Sequence, residues 1–175
     1  SYFYTHYWIP ESKLADAPDG VNYREWEKDG HLTIVRGNAV ESSMVADWHF
    51  SLMKKYRLKP YKSGYDNRFA KDFVNRYKET FGEDIAINVP QDYKVLNNPM
   101  RAMEADMRSK LVVYNNNPVC YWCFCNTGFV LDKFERIMPC KMAREKKIDG
   151  TAAKIIAYAT FDWYRSEFMA LVGRG

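Results

Sequence analysis

The sequence predicts an α/β layered domain with at least some parallel strand pairing, and three observations carry that prediction. Short runs of β-favouring residues alternate with longer segments of helical periodicity through the middle of the chain. The 175 residues are 47% apolar and 16% aromatic, enough for one well-buried core and too few for two ordinary domains. No repeat, low-complexity tract or Pro/Gly/Ser linker marks an internal boundary, so residues 1–175 are read as one domain.

The elements follow in order. Tyr2 to Ile9 is aromatic and β-favouring and stops at Pro10, which predicts a strand, followed by a polar loop with Pro18, Asp19 and Gly20. Tyr23 to Lys28 predicts a short helix ended by Asp29-Gly30, and His31 to Val35 alternates into a second strand closed by Gly37. Ser42 or Ser43 can cap a helix whose Met44, Val45, Trp48, Leu52 and Tyr56 recur at helical spacing, so that face is expected to be buried. Lys59 to Tyr65 reads as a strand ending at Asp66. Phe69, Phe73, Val74 and Tyr77 then mark an amphipathic helix up to Gly82.

Ile85, Ile87 and Val89 predict a short strand stopped by Pro90. A helix is expected from Pro99 to Lys110, with Met100, Met103 and Met107 on its core side. Asn117-Pro118 is a helix opening, since Asn caps and Pro tolerates the first helical position; a strand over Val119 to Cys125 is the alternative. Phe129 to Leu131 predicts a strand. A long helix runs from Gly150 to Leu171, with Asp149 at its start and Ile155, Ile156, Ala159, Trp163 and Leu171 as apolar residues.

Composition narrows the function classes. Twenty-six basic against 22 acidic residues give a net charge of +4, compatible with a polyanionic partner. No apolar run reaches membrane-spanning length, and the N-terminal stretch lacks the charge and cleavage pattern of a secretion signal, so the expected setting is the cytoplasm. Cys120, Cys123, Cys125 and Cys140 crowd into one region, which suits free thiols in a reducing compartment. Cys120-Tyr-Trp-Cys123 has a C-x-x-C spacing, leaving a four-thiolate zinc site as the competing reading. The scattered His6, His31 and His49 have no metal-ligand spacing. Tyr158, Trp163 and Tyr164, on the last helix, are read as packing residues.

The candidate chemistry lies in Gly64-Tyr65-Asp66-Asn67-Arg68-Phe69-Ala70 and Lys147-Ile148-Asp149-Gly150-Thr151-Ala152-Ala153. Each segment puts a carboxylate at a junction, Asp66 where a strand meets a helix and Asp149 at the N-terminus of the last helix. Carboxylates over one sheet edge suit hard divalent cations, and two such ions can drive phosphodiester hydrolysis. Helix capping is the structural alternative for both residues, and is compatible with metal ligation.

The chain resembles the C-terminal nuclease domain of tailed-phage and prophage large terminases. The resemblance is carried by Ile9-Pro10-Glu11, Tyr23-Arg24-Glu25-Trp26, Asp29-Gly30, His31 to Val35 with Gly37-Asn38, and Gly64-Tyr65-Asp66. It continues through Asn117-Pro118, Trp122, Asn126, Lys141 and Ile148 to Ala153, in order across nearly the whole chain. It implies a ribonuclease H-like mixed sheet flanked by helices, and a metal-dependent endonuclease that cuts concatemeric DNA during genome packaging.

The resemblance also implies three acidic metal ligands for Mg²⁺ or Mn²⁺, of which Asp66 matches the second and Asp149 the third. The first has no counterpart, because Ser1 to Ile9 holds no carboxylate and Glu11 falls at a non-catalytic position. The implied fold therefore lacks its first strand or strands within residues 1–175, and activity of this stretch by itself is in question. Implied partners are double-stranded DNA, a fused ATPase domain, the small terminase subunit and the portal. The chain holds no G-x-x-x-x-G-K-[ST] loop, so ATP hydrolysis is not expected of it.

Two basic clusters are candidates for phosphate contact. Lys54, Lys55, Arg57, Lys59 and Lys62 read as a solvated surface, whereas Lys141, Arg144, Lys146 and Lys147 adjoin Asp149 and are the better candidates. Lys141 also matches a family lysine. The rival function is a non-catalytic nucleic-acid-binding or assembly module, zinc-stabilised through the four cysteines. A transposase or resolvase of similar fold would share the carboxylates but not the surrounding motifs.

Overall fold

The computed structural model describes residues 1–68 and 70–173. Phe69, expected to mark the face of a helix, lies outside the described residues. Among the described residues, besides two short 3-10 helices (Glu11–Lys13 and Glu83–Ile85), six strands and six α-helices follow one another: β1 (Tyr7–Pro10), α1 (Tyr23–Lys28), β2 (Leu32–Val35), α2 (Ser42–Tyr56), β3 (Ser63–Tyr65), α3 (Lys71–Phe81), β4 (Ala86–Asn88), α4 (Tyr93–Arg108), α5 (Pro118–Cys125), β5 (Thr127–Leu131), β6 (Ile137–Lys141) and α6 (Asp149–Val172). Helices and short strands are interleaved as the sequence predicts. β1 pairs parallel with β2, in register from Tyr7 opposite Leu32 to Pro10 opposite Val35, and β3 pairs parallel with β4. β5 and β6 form an antiparallel hairpin. The strands thus make three two-stranded sheets among the described residues.

Three apolar clusters hold these sheets to the helices. Val89, Leu96, Met103, Ile155, Ile156 and Ala159 join the end of β4 to α4 and α6. Fully burying an Ile or Leu side chain stabilises by about 1.5–3 kcal/mol, so this layer is the main anchor of α6. Ala46, Phe73, Tyr77 and Ile85 pack α2 against α3, and Tyr23, Leu32 and Val119 join α1, β2 and α5. Met103 is buried, with Met100 and Met107 packed beside it, as their spacing predicts.

Several expectations are corrected. α4 begins at Tyr93 rather than Pro99, because Asp92 Oδ1 accepts from the N–H groups of Lys94 at 2.8 Å and Val95 at 3.0 Å. Pro99 is therefore inside the helix and buried, and its missing N–H leaves the Val95 carbonyl without its helical donor. β6 was not anticipated, since Pro139 interrupts its pattern. An edge strand tolerates Pro, and among the described residues β6 pairs only with β5. The first strand is shorter than expected, Tyr2 making only an isolated bridge to Val113.

On α2, neither serine caps the helix; the Ser42 hydroxyl instead accepts from the Phe73 N–H at 3.2 Å, tying α2 to the start of α3. Val45 packs on the α2–α3 cluster as its spacing predicts, together with Ala46, Phe50 and Met53, whereas Met44, Trp48 and Leu52 are half-buried and Tyr56 is exposed. On α6, Trp163 and Leu171 are also exposed, because the helix runs beyond the layer that covers Ile155 to Ala159. Asn117 and Pro118 open α5 as the sequence predicts, with Asn117 Oδ1 accepting from Cys120 N–H at 3.0 Å.

Candidate functional site

β3 and α6 run antiparallel, and this brings the two aspartates to one end of the molecule. At the far end the Tyr61 ring lies 5.4 Å from that of Phe168, and its hydroxyl donates to Glu167 at 3.1 Å. Lys62 Nζ sits 4.7 Å from the Tyr164 ring centroid, and Gly64 rests against Ile156 and Thr160. Each step up β3 is a step down α6. Two further strand residues cover about 6.6 Å, or roughly four helical residues, which sets Asp66 beside the first two turns of α6. Asp149 opens that helix.

The local chemistry of both residues departs from simple capping. Asp66 is half-buried and its Oδ1 accepts from Arg68 N–H at 3.1 Å, closing a two-residue Asx turn. α3 starts later, at Lys71, without any side-chain cap. Asp149 is exposed in the first turn of α6, whose N-cap position belongs to Ile148. A carboxylate there interacts favourably with the helix dipole, by about 0.3–1 kcal/mol. Neither aspartate forms an ion pair among the described residues.

Gly150 fixes where α6 begins. A Cβ on this residue would fall 2.7 Å from Tyr7 Cε1, 2.8 Å from Tyr7 Oη and 3.1 Å from Cys123 Sγ. Only glycine lets the helix start this close to β1 and α5, and Asp149 is therefore held where those elements meet.

Two carboxylates without cationic partners, at one end of a strand–helix layer, fit a hard, oxygen-preferring ion. Among the described residues no three His, Cys, Asp or Glu side chains converge on one point, so Asp66 and Asp149 supply at most part of a coordination shell. The cysteines do not converge either. Cys120 and Cys123 are buried in α5, where burial pushes the Cys123 thiol up to about 11, while Cys125 is exposed and Cys140 half-buried on β6.

The second basic cluster lies in and beside the connection from β6 to α6. Lys141 ends β6, Arg144 and Lys147 are exposed, and Lys146 is half-buried. Asn126, almost fully buried, ties this connection down at both ends. Its backbone carbonyl accepts from Met142 N–H at 3.0 Å, and its side-chain amide donates to the Lys147 carbonyl at 3.2 Å. This positioning role was missed in the sequence, where only a polar residue ending an apolar helix could have signalled it.

The first basic cluster is looser. Lys54, Lys55, Arg57 and Lys59 are exposed around the end of α2, Lys55 lying over the Tyr56 ring, while Lys62 donates to the Asp84 carbonyl at 2.7 Å. His6 bonds to the Thr33 hydroxyl and His49 to the Tyr77 hydroxyl, both structural contacts. Tyr158 donates to Asp106 at 2.7 Å and Tyr164 lies under Lys62, whereas Trp163 is exposed rather than packed. Among the described residues no helix is long and apolar enough to cross a membrane.

Comparison with known proteins agrees with the motif order. A family model described as "Terminase large subunit, endonuclease domain" matches residues 1–165. The Escherichia coli (strain K12) protein called "Protein YmfN" is 22% identical over 170 residues, covering 92% of this chain and 36% of that protein. The crystal structure of the HK97 bacteriophage large terminase superposes with a TM-score of 0.74 at 20% identity, over 87% of this chain and 32% of that one. The mixed α/β architecture is thus that of the ribonuclease H-like terminase nuclease domain. The chain spans about a third of the length of these relatives.

Proposed function

The chain belongs to the family of terminase large-subunit endonuclease domains, and from that premise we propose that it cuts double-stranded DNA by metal-dependent phosphodiester hydrolysis during phage genome packaging. The observation that carries the reading is the antiparallel run of β3 and α6, which sets Asp66 and Asp149 at one end with the basic β6–α6 connection alongside. Asp66 and Asp149 act as oxygen ligands. They would hold Mg²⁺ or Mn²⁺, which when bound would supply Lewis-acid chemistry for phosphodiester hydrolysis.

The remaining work falls to the chain's own side chains. Lys141, Arg144, Lys146 and Lys147 hold backbone phosphates without reading bases, so affinity is salt-sensitive and tolerant of sequence. Asn126 keeps that connection against α5, so the cations stay next to Asp149. Within residues 1–175 the first carboxylate of the family pattern has no counterpart. The partners that go with this reading are an ATPase domain, the small terminase subunit and the portal.

The test is Mn²⁺-dependent nicking of supercoiled plasmid by residues 1–175 and by a form extended upstream, each with an Asp66→Asn, Asp149→Asn control. Cutting by the extended form that the double variant abolishes supports the reading. Equal cutting by the double variant overturns the site assignment. Stoichiometric zinc retained on thiolates, with no cutting by any form, supports the non-catalytic binding module instead.

A further inference from the structure

The buried nucleophiles that the nuclease reading leaves unused meet at one point, where β1 and α5 pack on α6. Tyr7 closes on Gly150 and Phe3 packs edge-on against Tyr158, so β1 runs along the first turns of α6. Cys120 and Cys123, one helical turn apart on α5, are both buried, and Cys123 Sγ lies 3.1 Å from where a Cβ on Gly150 would stand. Lys154 of α6 reaches into this junction and is only 4% exposed. Its Nζ donates to the Gly150 carbonyl at 3.0 Å and to the Tyr7 hydroxyl at 3.3 Å. The rings of Phe3, Tyr7 and Phe124, at 5.3–5.8 Å, exclude water from it.

A thiol supplies the remaining polar contact. Cys120 is within hydrogen-bonding reach of both Lys154 Nζ and Tyr7 Oη. Among the described residues no carboxylate forms an ion pair with Lys154. Burial holds its amine below the ordinary lysine range, toward the uncharged form. An uncharged amine keeps its lone pair, so a nitrogen and a sulfur nucleophile face each other in a dry site. Lys154 and Tyr7 also line a cleft of about 510 Å³ along α6, wide enough for a small apolar oxidant to reach the amine.

We propose that Lys154 and Cys120 are a covalent modification site, joined by an N–O–S bridge that dioxygen forms and that staples α6 to α5. One N–H and one S–H bond break, Nζ–O and O–Sγ bonds form, and the second oxygen atom leaves as water with the two hydrogens. Nitrogen and sulfur each give up two electrons, and those four electrons reduce the dioxygen. Two equivalents of a dithiol return the amine, the thiol and one water. The bridge constrains the unfolded chain as a disulfide does, and raises Tm by roughly 7–15 °C. Because Lys154 sits one turn after Gly150, the staple fixes the start of α6 against α5. The inference stands apart from the nuclease reading, since the bridge is measured without catalysis.

The experiment holds residues 1–175 in air-saturated buffer and, in parallel, under nitrogen with a reductant, then reads intact mass, non-reducing tryptic peptides and Tm. The aerated protein gains one oxygen atom and loses two hydrogen atoms, and its peptides include a Cys120 segment joined to a Lys154 segment. Cys120→Ser and Lys154→Met abolish the product, Cys123→Ser does not, and dithiothreitol removes it from the wild type together with the gain in Tm. An unchanged mass in air overturns the proposal. So does a loss of two hydrogens without oxygen, which is a disulfide, or a gain of oxygen without loss of hydrogen, which is a sulfenic acid. A bridge that survives Cys120→Ser overturns the assignment to that cysteine. Where a substitution prevents folding, the joined peptides of the wild type decide: their absence after aeration overturns the bridge.

Discussion

Replacing Gly64 with Ala is the sharpest perturbation of the arrangement that unites the two aspartates. The new Cβ would stand 2.0 Å from Thr160 Oγ1, 2.9 Å from Ile156 Cγ2 and 3.2 Å from Thr160 Cβ. The nearest atom is thus about 1.4 Å inside ordinary contact. Thr160 cannot simply turn away, since it is buried and its hydroxyl donates to the Ile156 carbonyl at 2.8 Å. Either α6 retreats from β3 or that hydrogen bond is lost.

Overpacking of this kind costs about 1–3 kcal/mol, and a lost hydrogen bond adds about 1 kcal/mol. Ala restricts the unfolded chain more than Gly does and returns roughly 0.4–1 kcal/mol. A net loss of about 2–3 kcal/mol corresponds to a fall in Tm of roughly 4–12 °C for a chain of this length. Thermal unfolding by circular dichroism reads the shift directly. Adding Thr160→Ala removes the closest atom and restores about half of the loss, the 2.9 Å approach to Ile156 remaining. Because Asp66 follows Gly64 by two residues, metal-dependent nicking by the extended form falls together with stability. A Gly64→Ala protein melting within about 1 °C of wild type would refute the close β3–α6 contact, and with it the argument that places Asp66 beside the start of α6.

Two other outcomes test the electrostatics. Burial pushes His49 down to about 4, from about 6.5 in an unfolded chain, so the unfolded state binds more protons between those values. The stability this provides is fully present above pH 6.5 and is lost as pH falls through 4, by about 3 kcal/mol at most. Urea midpoints measured from pH 7 to 4 should fall less steeply for His49→Gln; an unchanged slope would assign the acid sensitivity elsewhere. For DNA, replacing Lys141, Arg144, Lys146 and Lys147 with Ala should flatten log K against log salt by about 0.9 per lost phosphate contact. The same treatment of Lys54, Lys55, Arg57 and Lys59 should change that slope by less than one contact's worth, and a larger effect there would move the DNA surface to the end of α2.

The local chemistry of the chain is legible from its sequence wherever a residue acts through its immediate neighbours. Asn117-Pro118 opens α5 because the Asn side chain reaches an N–H three residues on, and Asp29-Gly30 ends α1 through backbone preferences alone. The methionine spacing of α4 and the buried Ile155, Ile156 and Ala159 of α6 follow from helical periodicity. The aspartates at junctions and the basic run before Asp149 are likewise sequence features.

What required tertiary structure was every feature created by two distant segments meeting. Ser42 ties α2 to α3 rather than capping its own helix, and nothing local to Ser42 announces Phe73 N–H as the donor. β6 tolerates Pro139 only because it is an edge strand, a property of its partners and not of its residues. Nothing in the sequence singles out Lys154, yet the packing of β1 and α5 on α6 strips it of water, and among the described residues it has no ion-pair partner. By itself, the sequence determined the identity and order of the elements and the residues able to do chemistry, because propensity and spacing act over a few residues. The three-dimensional packing decided which of those residues share an end, a cleft or a contact, because those relations depend on how β3, β1 and α6 run past one another across a hundred residues of intervening chain.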